Sequence, residues 1–229
     1  MKIAGIQKLS LVDYPGKMAC TVFTSGCNFR CPFCHNASLV THTTEEAIDV
    51  EEVKNFLKKR QGLLDALVIS GGEPLIHDGV DELARYAKSL GYFVKLDTNG
   101  TFPEKLIGLV GEGIIDYVAM DIKNSRQKYA QTAGVKNIDL NPIEKSIEFL
   151  KSGKVDFEFR TTVVKEFHVK EDFKEISDWI GSEPKYFLQK FVDSGDLIES
   201  NLHGYDDENM KILLDFAKKH FKNVQLRGV

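Results

Sequence analysis

The chain has 229 residues, 42% of them hydrophobic, enough to bury a substantial core, most simply as one domain. A formal net charge of −4 gives no electrostatic footprint for a nucleic-acid backbone. No apolar run approaches the roughly 20 residues that span a bilayer, and Met1 to Lys8 lacks a signal-peptide core. A soluble, cytoplasmic protein with reduced thiols is therefore expected.

Strand-like and helix-like segments alternate along the chain. Met18 to Thr24 is β-rich and runs into a loop with three cysteines. Glu45 to Arg60 has helical periodicity, with Ile48, Val53, Phe56 and Leu57 on one face. Ala66 to Ser70 is a short apolar strand, followed by Gly71-Gly72-Glu73-Pro74 and a helix near Val80 to Leu90. Phe93 to Asp97 is the next strand, ending at the turn dipeptide Asn99-Gly100. A helix from Pro103 leads to the strand Tyr117 to Ile122. Asn141-Pro142 opens a helix to Leu150, with proline in its first turn. Strand Phe157 to Val164, helix Asp172 to Ile180, strand Tyr186 to Phe191, helix Asp206 to Phe221 and strand Asn223 to Arg227 complete the series. The basic residues near the end (Lys211, Lys218, Lys219, Lys222, Arg227) are interspersed with acids and read as a solvated helix face.

This alternation predicts βαβ units around a parallel sheet covered by helices. About six units are present, fewer than the eight of a closed barrel, so an open, partial (β/α)6 barrel is expected. Active residues of such folds lie at the C-terminal ends of the strands. The cysteine loop, Gly71 to Pro74, Asp97 to Asn99, Asp121 to Lys123 and Arg160-Thr161 each finish or follow a strand and should face one mouth.

Cys27, Cys31 and Cys34 have the spacing C-x3-C-x2-C. Protein sites for a [4Fe–4S] cluster usually supply four cysteines, one per iron. Three leave one iron open to a chelating small molecule. That points to reductive cleavage of S-adenosylmethionine (SAM) to methionine and a 5′-deoxyadenosyl radical, a cofactor-borne reaction. A Cys3His zinc knuckle using His35 is the rival reading. Against it, zinc ligands usually come as separated pairs, and no second C-x2-C or H-x3-H lies downstream. Cys20 lies inside a strand and reads as a small buried hydrophobe.

Gly5 to Lys17 (GIQKLSLVDYPGK) and Phe23 to Asn36 (FTSGCNFRCPFCHN) resemble the radical SAM superfamily, specifically the activating enzymes of glycyl radical enzymes, and among these the anaerobic ribonucleoside-triphosphate reductase activating proteins. The resemblance covers nearly the whole chain. It implies a [4Fe–4S] cluster on Cys27, Cys31 and Cys34, SAM as cosubstrate, an electron donor such as flavodoxin or ferredoxin, and a glycyl radical enzyme as partner. It also implies that Asn36, Gly71, Gly72, Glu73, Asp97, Thr98, Lys123 and Arg160 contact the cofactor. Glu73 would give a carboxylate to the methionine amino group. Arg160 would touch either the ligand or the glycyl loop. Asp97, Thr98, Asp121 and the Ala119 carbonyl would hold a monovalent cation beside the methionine carboxylate.

Some relatives carry a histidine on the sixth strand. Here Tyr186 to Val192 has none, leaving Gln189 or Lys190 as substitutes. His42, His77, His168, His203 and His220 form no legible metal site and read as solvated or core-edge side chains. Gly5 to Lys17 is expected at the rim of the mouth. A radical SAM enzyme acting on a small molecule, such as a purine or pterin precursor, and a non-catalytic zinc module remain the alternatives.

Overall fold

In the computed structural model, β2 (Ala19–Thr24), β3 (Ala66–Gly71), β4 (Phe93–Thr98), β5 (Tyr117–Asp121), β6 (Asp156–Val163), β7 (Tyr186–Lys190) and β8 (Val224–Arg227) run parallel. The structure describes residues 1–41, 47–193 and 195–229. Among these, an eight-stranded sheet has the order β1 to β8, with β1 (Ile3–Ser10) antiparallel to β2. β1 and β8 are the two edges. The sheet is a partial barrel, as the alternating pattern predicts, with one antiparallel strand added in front.

Helices α1 (Ala37–Thr41) and α2 (Val50–Arg60) link β2 to β3, and α3 (Val80–Ser89) and α4 (Pro103–Gly111) make the next two crossovers. α5 (Tyr129–Thr132) and α6 (Asn141–Lys151) precede β6, while α7 (Lys170–Ile180) and α8 (Asp207–Ala217) precede β7 and β8. The expected strands agree with the observed ones to within a residue or two. The expected helix start at Glu45 and the expectation for His42 fall outside the described residues, and Ile48 bridges to Ile3 rather than joining the α2 face. Asp49 caps α2, its carboxylate accepting from the Glu51 amide at 3.0 Å.

The strands bury alternate residues on two different surfaces. Val94, Leu96, Val118 and Met120 face the helices and join the main apolar core. The other set lines the barrel interior. Near the N-terminal ends of the strands that set is small and apolar: Ala19, Ala66 and Val68 pack with Tyr14 and Tyr117 as a separate cluster. Ser10 pairs with Ala19, so the chain leaves β1 at the closed end of the barrel. There Tyr14 sits 5.7 Å from the Tyr117 ring, and Thr21 donates to Asp13 at 2.6 Å. The expectation that Gly5 to Lys17 rims the mouth is thus corrected. This segment makes an edge strand and then plugs the opposite end, because the antiparallel direction of β1 carries it away from the mouth.

Candidate active site

The cysteine loop follows β2 and is held on three sides by other strand-end loops. Asn99 Nδ2 donates to Asn28 Oδ1 at 2.8 Å, and Asn28 donates to Thr101 Oγ1 at 2.9 Å, tying the loop to the end of β4. The Arg30 amide donates to the Ala133 carbonyl at 3.0 Å, and the Glu199 amide to the Pro32 carbonyl at 3.0 Å. The Gly26 amide donates to Leu39 O at 2.7 Å, so α1 folds back on the loop. The Phe29 amide lies 3.3 Å from Cys27 Sγ, a donor aimed at the sulfur.

Cys27, Cys31 and Cys34 all line one cavity at the C-terminal ends of the strands, with Phe29, Phe33 and Val40 as apolar wall. Asn36, Gly71, Gly72, Asp97, Thr98, Asp121, Lys123 and Arg160 line the same cavity. Cys20 does not. It is fully buried in β2, near the Ala66 carbonyl. Gln189 faces the cavity, whereas Lys190 pairs with Asp207.

Two of the expected contact residues are engaged with protein groups. Glu73 is 0% exposed and does not line the cavity. Its carboxylate accepts from the Leu75 amide (3.0 Å), the Thr98 hydroxyl (2.9 Å) and the Asn99 amide (2.6 Å). Burial pushes its pKa up to about 7, while those three donors pull it down. Glu73 therefore locks the β3 loop to the end of β4 from a position behind the cavity wall. Thr98 donates its hydroxyl to Glu73 and accepts from the Gly100 amide (3.1 Å), which ties it to protein groups while it lines the cavity.

The glycine pair has a similar internal use. A Cβ on Gly72 would lie 1.9 Å from the Gly26 carbonyl oxygen, and one on Gly71, at φ +114°, 2.3 Å from the Thr24 amide nitrogen. Glycine is required because this turn packs backbone to backbone against the start of the cysteine loop. Gly134, which the sequence did not single out, does the same from the other side. Its φ is +67°, and an added Cβ would lie 1.9 Å from the Arg30 carbonyl oxygen, beside Cys31. Gly134→Ala should cost about 1–2 kcal/mol from the left-handed backbone alone. It should also shift Cys31, so that iron bound per chain after reconstitution falls while the far-ultraviolet circular dichroism stays native.

The inward residues of β4, β5 and β6 form a ladder of alternating charge. Lys95 Nζ lies 2.5 Å from Asp97 Oδ1, and Arg160 Nη2 lies 3.2 Å from Asp97 Oδ2. Arg160 Nε is 2.5 Å from Asp121 Oδ1, and Lys123 Nζ 2.9 Å from Asp121 Oδ2. The register pairs Asp121 with Arg160, and Asp97 with Ala119, whose small side chain leaves Arg160 room to reach across β5. Burial opposes ionisation of Asp97 and Asp121, yet Arg160 with Lys95 or Lys123 holds both below the usual carboxylate range. Burial likewise disfavours the charge on Lys123, but Asp121 beside it keeps the ammonium protonated. Deeper in the barrel, Glu158 is satisfied by Arg227 at 2.7 Å and by the Tyr117 hydroxyl at 3.0 Å. Arg160 is thus a bracket between two acids, not a side chain extended toward a partner's loop.

His168 is also corrected. It is fully buried, accepting at Nδ1 from the Val164 amide (3.1 Å) and donating from Nε2 to the Lys123 carbonyl (2.9 Å), which fixes the backbone of Lys123. Burial depresses its pKa, which keeps the ring neutral.

Residues 21–180 match the sequence profile of the Radical SAM superfamily. The chain belongs to the radical SAM superfamily. It is 36% identical over 233 residues to a candidate glycyl-radical enzyme activating enzyme of Methanocaldococcus jannaschii, covering 99% of this chain and 96% of that protein. It is 40% identical over 94 residues to a 7-carboxy-7-deazaguanine synthase of Halobacterium salinarum, covering 38% of this chain and 35% of the synthase. SuiB of Streptococcus suis has the same fold, with a TM-score of 0.72 at 14% identity over 91% of this chain. The chain spans 48% of the length of SuiB.

Radical SAM enzymes use a [4Fe–4S] cluster and SAM, and the donor set of this chain fits the cluster. Burial pushes the Cys27 thiol up to about 12 and Cys31 up to about 11, and raises Cys34 as well, while Lys123 pulls all three down. Such thiols bind as thiolates only when a metal displaces their protons. Among the described residues, no three His, Cys, Asp or Glu side chains converge as they would on a single ion. No helix among the described residues is long and apolar enough to cross a membrane.

Proposed function

We propose that this radical SAM enzyme is an activase that generates a glycyl radical on a partner enzyme, the partner being anaerobic ribonucleoside-triphosphate reductase. One observation carries this reading. A relative matched over 99% of this chain is a candidate glycyl-radical activase, while several relatives named for small-molecule chemistry match between 38% and 67% of it. Among the described residues β1 and β8 do not pair with each other, so the barrel is not closed, which also suits a polypeptide substrate.

Cys27, Cys31 and Cys34 would hold the cluster, and the Gly71-Gly72 backbone, Asn36, Lys123 and the Arg160 bracket would hold SAM. When bound, the cluster and SAM supply the 5′-deoxyadenosyl radical that takes a hydrogen from the glycine. The residues of this chain place and protect that chemistry. Asp97, Asp121, Arg160 and Lys123 carry one negative charge fewer than they would need to neutralise Lys95 as well, so the ladder is net positive and suits a ligand carboxylate. Phe29, Phe33 and Val40 supply dry wall beside the cysteines, which limits quenching by water. An electron donor such as flavodoxin or ferredoxin completes the cycle, and the four free cysteines suit a reducing cytoplasm.

The test is to mix anaerobically reconstituted protein with SAM, a reductant and the reductase. A glycyl radical signal by electron paramagnetic resonance is expected. SAM cleavage with no radical on any glycyl radical protein would favour a small-molecule substrate, and a colourless protein with one zinc would favour the binding module.

A further inference from the structure

The resemblance calls for an alkali-metal ion between Asp97 and Asp121, and the residues present do not fit one. Each carboxylate oxygen of the pair already has a partner. Asp97 Oδ1 takes Lys95 at 2.5 Å, and Asp97 Oδ2 takes Arg160 at 3.2 Å together with the Ser70 hydroxyl at 2.9 Å. Asp121 Oδ1 takes Arg160 at 2.5 Å, and Asp121 Oδ2 takes Lys123 at 2.9 Å. Thr98 is committed to Glu73. Ala119 lies within the β5 ladder, in register with Asp97 and Glu158. Two acids facing three cationic side chains leave no negative charge to attract a fourth cation.

Lys95 is the side chain that makes the difference. Only 2% of it is exposed, at a depth in the barrel where an unpaired ammonium would be strongly disfavoured. It occupies the inward position two residues before Asp97 on β4, and its register partner is Tyr117, part of the apolar plug below. The plug closes the route downward, so the four-carbon stem runs up the barrel interior and delivers the ammonium to the carboxylate from beneath. Lys123 and Arg160 engage the same acids from the mouth.

We propose that the Lys95 ammonium takes the place of the alkali-metal ion, so that this chain holds Asp97 and Asp121 in position with its own side chains and works without a monovalent cation. The inference concerns the proposed SAM site but is tested first on the protein without SAM. Thermal melts are recorded in NaCl, KCl and tetramethylammonium chloride at equal ionic strength, the organic ion being too large for a carboxylate cage. Wild-type protein should melt at the same temperature in all three. Lys95→Met keeps the stem and removes the charge, and should be stabilised by Na+ or K+ over tetramethylammonium. SAM binding by calorimetry should follow the same pattern: indifferent to the cation in the wild type, and at least about tenfold weaker in Lys95→Met in tetramethylammonium than in K+ or Na+.

A wild type whose melting or SAM affinity prefers an inorganic cation overturns the proposal, and so does a folded Lys95→Met variant indifferent to the cations. Should Lys95→Met fail to fold, the wild-type measurements decide alone. Should SAM fail to bind wild-type protein at all, the SAM reading of the site falls while the melts still judge Lys95.

Discussion

Alanine at Cys27, Cys31 or Cys34 should abolish SAM cleavage, whereas alanine at Cys20 should leave the iron–sulfur chromophore intact. The three motif thiols line one cavity, and losing any one would leave an iron of the proposed cluster without its protein ligand. No fourth cysteine can substitute, because Cys20 is enclosed in β2, packed into the main core on the helix side. Its sulfur behaves as a small hydrophobe, and truncation to alanine removes one heavy atom, a cost of about 1 kcal/mol. The difference is therefore near-total loss of activity at three positions against a small loss of stability at the fourth. Iron content, visible absorbance and 5′-deoxyadenosine release read it out together. Loss of the chromophore in Cys20→Ala with retention in Cys31→Ala would overturn the assignment.

The parallel part of the fold was legible because each inner strand is a short apolar run between helical segments, and its end marks the mouth. That rule alone gathered Cys27, Gly72, Asp97, Lys123 and Arg160, from five strands and the loops that follow them, into one cavity. β1 was missed because it is an edge strand: its central residues are half-exposed or exposed and carry Gln7 and Lys8, so the apolar run that marks the inner strands is absent. The loop after it was placed at the wrong end, since direction in a sheet is set by pairing and cannot be read from composition. α1 and α5 were too short for a helical period to show.

Within the site, proximity was readable and allegiance was not. Glu73, Thr98 and Arg160 stand where the motifs place them, but each binds protein groups that only the folded chain brings near. Lys95 could have been found: Val94 and Leu96 alternate with Lys95 and Asp97, so a strand with an apolar outer face must point both charges inward. The same alternation places Glu158, Arg160 and Thr162 on one face of β6, and Arg160 and Thr162 line the cavity. Gly134 left no such trace, because the need for it arises from the Arg30 carbonyl more than 100 residues away.

Arg160→Ala should reduce SAM affinity, SAM cleavage and glycyl radical yield together. A side chain reaching out to hold a partner's loop would, on removal, lower radical yield while sparing uncoupled cleavage. Arg160 instead spends Nε on Asp121 and Nη2 on Asp97, with 15% of its side chain exposed. Without it, Asp121 keeps Lys123 and Asp97 keeps Lys95, but the tie between β4 and β6 across β5 is gone, and two partly buried carboxylates face each other with less compensation. Breaking a buried pair from one side costs about 3–5 kcal/mol. Part of that will appear as lower stability, and part as retreat of Asp121 and Lys123 from the position in which they meet a ligand. Arg160→Lys should recover little, since an ammonium cannot span two carboxylates as the planar guanidinium does. Equilibrium SAM binding separates the two roles. An Arg160→Ala protein that is folded, binds SAM normally and cleaves it at the wild-type rate, yet fails to transfer the radical, would move Arg160 from the cofactor ladder to the partner's binding surface.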